Sequence, residues 1–460
     1  MEMQNIWESL KNSCDQILKY AKCDGKLAED FRSGVMEYKK LSDKNGGEDH
    51  AVRTRRTLAE LFYRVYKDAF KASVEAEEIP PVITMFLNFG YVDEELAGQE
   101  NSVYLYTLAK AMPTDPERNV YSFYQWLMAI YEGKKEPSRN EMDMEYRDYL
   151  NEEKRMSRIT AEQERELLQD NLSKVIFEIE NMLSVINRLT FGQLSIFCPL
   201  FSMHNVFKPL TSAVVTADKV EEEIKNIRNK DFRAFYRETL FSLQERGINE
   251  MIEIEILPDI ILMPNVGSRS IMWQEIEGKK RTTPARMMLS IFHTEELTQS
   301  MIQLTGEFRW EMCKRAQGAR WNDVSDPSLT SEYCDYAQFY KKNKELSADV
   351  KEKIKNQLVR ARNNYKSLFV SDYILWLCYE SMGAPRLNKV VRNILFTYCP
   401  FSKEVRAKIG SNPLYKQSID RYNVVNSRKL HRITLLCRKL ENSRDGVPEE
   451  IAEYKRYMES

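Results

Sequence analysis

GKKRTTPARMMLSIFHTEELTQSMIQLTGEFRWEMCKRAQ, residues 278–317, is the stretch whose reading decides the fold. Thr283 can cap free backbone N–H groups and Pro284 has the φ that a first helical turn requires, so the spacing predicts a helix from about Pro284 to Gln317. Glu296, Ser300, Gln303, Glu307, Glu311 and Lys314 recur in steps of three and four and draw one polar line along it. Leu297, Met301, Leu304, Phe308 and Met312 flank the line on one side, and Met288, Phe292, Ile302, Gly306, Trp310 and Cys313 on the other. A helix with two apolar sides packs between other elements, and Gly306 marks a close approach by a neighbouring backbone.

The rest of the chain extends this helical reading. Helical spacing predicts elements over 5–20, 53–78, 160–189, 350–369, 386–398 and 427–441. One region departs from it. Ile252, Ile254 and Ile256 alternate with Glu253 and Glu255, then Pro258 and an IILM run precede Pro264, Asn265 and Gly267. The expected fold class is therefore mainly α, with a small β hairpin or sheet around 251–276. The segment 132–160 is turn-rich and then densely charged, which suits a surface crossover. It divides an N-terminal helical part, 1–131, from a central part, 161–323, carrying the β element and the organising helix; a C-terminal helical part covers 324–460.

Composition narrows the functional classes. Lys plus Arg number 68 against 69 Asp plus Glu, a net charge of -1 that gives no global attraction to nucleic acid or a membrane surface. The basic stretches LVRARNNYK and SRKLHRITLLCRKL carry leucines at helical spacing, so solvated amphipathic helices account for them and nucleic acid is not the expected partner. No run is apolar enough to cross a bilayer, and the first residues lack a secretory pattern, so the expected location is the cytoplasm, with no membrane association. The eight cysteines form no C-x-x-C pair, as expected of reduced core thiols.

Familiar catalytic signatures are missing: there is no phosphate loop, dinucleotide fingerprint, H-E-x-x-H or G-x-S-x-G elbow. His293, one turn before Glu296, reads as a half-buried histidine satisfied by a carboxylate or carbonyl, since a di-iron bundle would need a second such helix. Glu307 and Glu311 lie one turn apart, but Glu311 can pair with Arg315. The candidate ligand site is the pair of loops leading to the organising helix. There Ser268, Arg269, Lys280, Arg281, Thr283 and Arg286 gather cations and hydroxyls at a helix start, which suits a phosphate or carboxylate. A solvated hairpin tip with a simple cap is the competing reading.

The runs MPNVGSRSIMWQEI, TPARMM, TGEFRWEMCKR and ARWNDVSDPSLTSEY resemble a group of large, functionally uncharacterised bacterial proteins associated with cyclic-nucleotide-binding domains. The resemblance implies regulation in the bacterial cytosol and no named reaction. A cyclic-nucleotide fold needs a β-roll and a Gly-Glu phosphate cassette followed by a turn. Gly306-Glu307 followed by Arg315 lies inside a continuous helical pattern, so that fold is not expected. The expectation is a non-enzymatic regulatory or scaffolding protein acting through protein partners and sensing an anionic small molecule; a phosphate-handling or metal-dependent enzyme using 267–311 is the alternative, with no cofactor identified.

Overall fold

A computed structural model describes residues 13–43, 48–92, 99–111, 119–138, 144–189, 210–267, 270–273, 285–441 and 446–459. Helices dominate and the strands form two small sheets, one of four strands and one of two. The chain divides into two compact units, each built from discontinuous stretches: 1–219, 260–271 and 288–296 in the first, and 220–259, 272–287 and 297–460 in the second.

The first unit contains helices α1 (Gly25–Asp43), α2 (Glu48–Glu75), α3 (Pro81–Phe89) and α4 (Gln99–Ala111). Strand β1 (Val120–Ser122) leads directly into α5 (Phe123–Tyr131), and α6 (Tyr146–Arg155), α7 (Ala161–Gln169) and α8 (Asn171–Leu189) follow. Ser122 ends β1 and starts α5 through a reciprocal capping box: its hydroxyl accepts from the Gln125 N–H, and the Gln125 side-chain Oε1 accepts from the Ser122 N–H at 2.8 Å. Phe62, Tyr66, Phe86 and Phe123 pack as tilted and edge-on rings beneath it. The expected charged crossover holds α6, whose Tyr146 and Leu150 bury against Phe177 of α8. Glu178, fully buried on α8, is satisfied by donors from Trp126 Nε1 at 2.6 Å and from the Ser138 N–H and hydroxyl at 2.5 and 2.7 Å.

The second unit is organised by a helix, but a shorter one than its sequence pattern suggests. Helix α9 (Ala217–Lys230) precedes the antiparallel hairpin β2 (Tyr236–Leu243) and β3 (Ile248–Glu255). The chain then returns largely to the first unit, whose sheet sets strands β4 (Asp259–Gly267), β5 (Ser270–Trp273) and β6 (Arg286–His293) with β1 in the order β1-β4-β6-β5, β1 parallel to β4. Helix α10 then runs from Leu297 to Gln317. The expected helical start at Pro284 is therefore a correction: all eight residues of β6, Arg286 to His293, are buried. A strand covered on both faces reads as an unbroken apolar run, which periodicity cannot tell from one side of a buried helix. The expected β region is present, and strands extend beyond it on both sides.

Seven further helices complete the second unit: α11 (Leu329–Phe339), α12 (Ala348–Arg360), α13 (Tyr365–Cys378), α14 (Lys389–Tyr398), α15 (Lys403–Ile409), α16 (Pro413–Glu441) and α17 (Glu449–Glu459). Gly306 admits a neighbour, although that neighbour is a ring and not a backbone: a Cβ there would stand 3.1 Å from Cδ1 of Tyr373 on α13. Trp310, one turn on, packs edge-on to Tyr333 and tilted against Phe369. Asp372 is buried on α13 and accepts the Tyr333 hydroxyl at 2.6 Å; burial pushes its carboxyl up to about 7.

Candidate functional site

The loops expected to bind an anion do not supply a testable helix start. Ser268, Arg269, Lys280, Arg281 and Thr283 lie outside the described residues. Arg286 is buried at the beginning of β6, so the first-turn position assigned to it on a helix does not exist. His293 is buried at the far end of the same strand and Glu296 lies beyond it, so the two do not share a helix. Glu311 takes Lys366 of α13 as its partner at 3.0 Å, and Glu307 accepts from Gln303 at 3.3 Å; burial raises the Glu307 carboxyl above its ordinary value.

The structure gathers polar chemistry elsewhere, on the second half of α10 and the hairpin. Asp231, just after α9, is fully buried and accepts the Arg233 N–H at 3.0 Å and the Tyr373 hydroxyl at 2.8 Å. Burial lifts its carboxyl above the ordinary range, against the pull of Arg309, whose Nε lies 3.8 Å away. Arg309 also donates to the Arg233 carbonyl at 2.6 Å and to the carbonyl of Tyr398, where α14 ends. The last carbonyls of a helix have no intrahelical donor, and a guanidinium is well suited to that negative end. Trp376 takes the next one, donating to the Cys399 carbonyl at 2.8 Å. The Cys399 thiol lies beside Arg309, yet burial pushes it up to about 12, so it remains protonated and packs as a small apolar group.

A second ionic group stands beside the first. Glu253 on β3 lies 3.3 Å from Arg233 Nε and 3.0 Å from Lys429 Nζ on α16. Burial raises the Glu253 carboxyl, but the two cations outweigh it and hold the group below its ordinary value. Burial likewise opposes the charge on Arg233, and Glu253 reverses that effect. Arg233 also lies over the rings of Phe232 and Tyr422.

These groups form one wall of a cavity of about 280 Å³ that lies wholly within the second unit. The hairpin contributes Tyr236, Arg237, Glu238 and Glu253; α10 contributes Arg309, Met312, Cys313, Ala316 and Gln317. Ser328 and Leu329 close one end, Asn393, Thr397 and Tyr398 of α14 another, and Ser418, Arg421, Tyr422, Val425, Asn426 and Lys429 of α16 form the facing wall. Arg233, Arg237, Arg309, Ser418 and Tyr422 are buried, whereas Glu238, Pro327, Arg421 and Val425 are exposed at the rim. Arg237 has its pKa lowered to about 10 by burial. Ser328 also caps α11, its hydroxyl accepting from the Ser331 N–H at 3.2 Å. Sequence reasoning missed this site, although Glu253, Met312, Cys313 and Lys429 all lie in stretches it read as a strand, a packed helix and a solvated basic face.

Among the described residues, no three His, Cys, Asp or Glu side chains gather closely enough to hold a metal ion. The seven described cysteines are all free thiols, and no described helix is long and apolar enough to cross a membrane.

Residues 318–457 match the family model described as Domain of unknown function (DUF8509). No curated protein and no solved structure matches the chain. The matched segment includes the α11, α14 and α16 walls of the cavity but stops short of Arg233, Arg237, Glu253 and Arg309.

Proposed function

We propose that this chain is a non-enzymatic regulatory or scaffolding protein of the cytoplasm, acting through protein partners, whose second unit is a receptor for a small organic molecule. The observation that carries this reading is the cavity itself. At about 280 Å³ it stands just below the ~300–1,000 Å³ usual for organic-ligand pockets, and it combines apolar walls with a few convergent polar groups. Its lining supports recognition over turnover. Glu253 is held ionised by two cations, Arg309 is engaged by carbonyls and Asp231, and the Tyr398 hydroxyl is bound to Glu332 at 2.8 Å with its pKa raised by burial. None of these three is poised to exchange a proton near neutrality. Free thiols throughout the described residues support a reducing compartment.

The test is titration of the full chain with N-phenyl-1-naphthylamine, an uncharged dye that fluoresces in apolar sites. Saturable one-site binding is expected. It should be lost in Ala316→Trp, which places an indole in the cavity from the partly exposed end of α10, while the melting temperature stays near that of the parent. Equal binding by parent and variant, or none by the parent, refutes the receptor reading.

A further inference from the structure

We infer that the outer face of α16 docks a helix of a protein partner, one that combines acidic with aliphatic side chains. The inference rests on the reading above that this chain acts through protein partners, and not on the cavity. Over its 29 residues α16 carries seven Lys and Arg against two acids, Asp420 and Glu441. Its inner face packs on the hairpin and α17, where Ile433, Leu436, Cys437 and Leu440 are buried in one cluster with Ile252 and Ile451.

The outer face is not the purely solvated basic surface that its sequence suggests. Leu414, Val424, Val425 and Leu435 are between 42% and 55% exposed. With about 3.6 residues per turn, they share one arc of roughly 100° around the helix. Arg421, Arg428 and Lys439 fall in the same arc, all exposed and without an ion pair among the described residues. Arg432 lies there too, paired with Glu250, whereas Asp420 and Glu441 fall outside it. Single apolar residues on a surface need no partner, but four aligned with three unneutralised cations complement an acidic amphipathic helix. Leu414, Arg421, Val424, Arg428 and Leu435 follow one another at steps of seven, three, four and seven, the period of a helix-on-helix seam. Two other anionic surfaces fit less well. A helix lying on a membrane keeps its apolar face continuous, whereas Arg421 and Arg428 interrupt this one. Nucleic acid would engage the cations and leave the aliphatic side chains without a partner.

The probe is a fluorescein-labelled peptide of four EIAALEE heptads, titrated against the full chain by anisotropy. Saturable binding is expected, weakening as NaCl is raised, with a KIAALKK peptide unbound. Arg428→Glu with Lys439→Glu should weaken binding by about tenfold or more, and Val424→Gln with Leu435→Gln should weaken it too, both at an unchanged melting temperature because the four side chains are exposed. Lys353→Glu with Arg360→Glu, the same change in net charge on exposed residues of α12, should bind as the parent does. Binding that is absent from the parent, equal for the two peptides or undiminished by the Arg428 and Lys439 reversal refutes the docking face. Binding untouched by the two glutamines reduces the face to a basic patch and refutes the aliphatic seam. If phosphatidylserine vesicles or duplex DNA bind through this face more tightly than the peptide, the partner class is wrong. None of the substituted residues lines the cavity, so N-phenyl-1-naphthylamine should bind every variant alike. Loss of the peptide alone therefore overturns this inference, and loss of the dye alone overturns the receptor reading.

Discussion

Replacing Asp372 with asparagine should stabilise the protein above neutrality and leave it nearly unchanged near pH 3. Asp372 is 4% exposed on α13 and faces the Tyr333 hydroxyl at 2.6 Å, with burial raising its carboxyl from an ordinary 3.8 to about 7. In the window between those values the native state holds a proton that the unfolded chain has released. Stability therefore falls as pH rises from about 4 to about 7 and is level beyond. At about 1.36 kcal/mol for each tenfold change in proton affinity, the full difference is on the order of 4 kcal/mol. An amide has the same shape, still accepts the Tyr333 hydroxyl and never ionises. Urea unfolding followed by tryptophan fluorescence should give nearly matching midpoints for parent and Asp372→Asn at pH 3, and a gap in favour of the variant that grows to its full size by pH 8. Parallel curves across that range, or a weaker variant at pH 8, would refute an uncompensated buried carboxyl.

Three further outcomes follow from the same packing. Glu253→Gln strips Arg233 and Lys429 of their shared carboxylate and should cost ~3–5 kcal/mol, while the double variant Arg233→Met with Glu253→Leu should lose far less; equal losses in urea midpoint would contradict the pairing. Because its folded pKa is depressed, the Glu253 contribution is present at neutral pH and should fade as acid is added below the ordinary carboxylate range. Gly306→Ala gains ~1 kcal/mol of helix propensity but presses a methyl to 3.1 Å from the Tyr373 ring, which its hydroxyl ties to Asp231, at ~1–3 kcal/mol; a net fall in melting temperature is expected, turning to a rise when Tyr373→Leu is already present. Glu178→Gln turns an amide toward the Trp126 and Ser138 donors and should lower stability by ~1–3 kcal/mol, with a change in near-ultraviolet dichroism; an unaltered melt would show that the carboxylate is dispensable.

Periodicity identified α10 because its polar line, Glu296 to Lys314, persists for five turns beside two apolar sides, and the covered glycine at 306 was legible for the same reason. The run before it was not, since MMLSIFH is apolar at every position but two and fits a strand covered on both faces as well as it fits a helix. At the site the obstacle was different. Glu253 sits in clean alternation with isoleucines, a pattern that places a carboxylate on a solvated face; only a guanidinium 20 residues earlier and an ammonium on α16 make its burial tolerable. Arg309, between Phe308 and Trp310, gave no local sign that helix-end carbonyls at Tyr398 would meet it.

The interleaving of the two units bears on how the molecule can be made. Protein synthesis is vectorial, and domains commonly fold as their last residues leave the ribosome. Here the first unit lacks residues 288–296 until almost two thirds of the chain has been translated. Residues 220–259 have by then emerged and belong to the second unit, whose remaining stretch from 297 to 460 has not been made. The first core can close only once residue 296 is out and the second only after it, so the hairpin that presents Tyr236 and Glu253 must wait, apolar residues uncovered, for α16 to arrive.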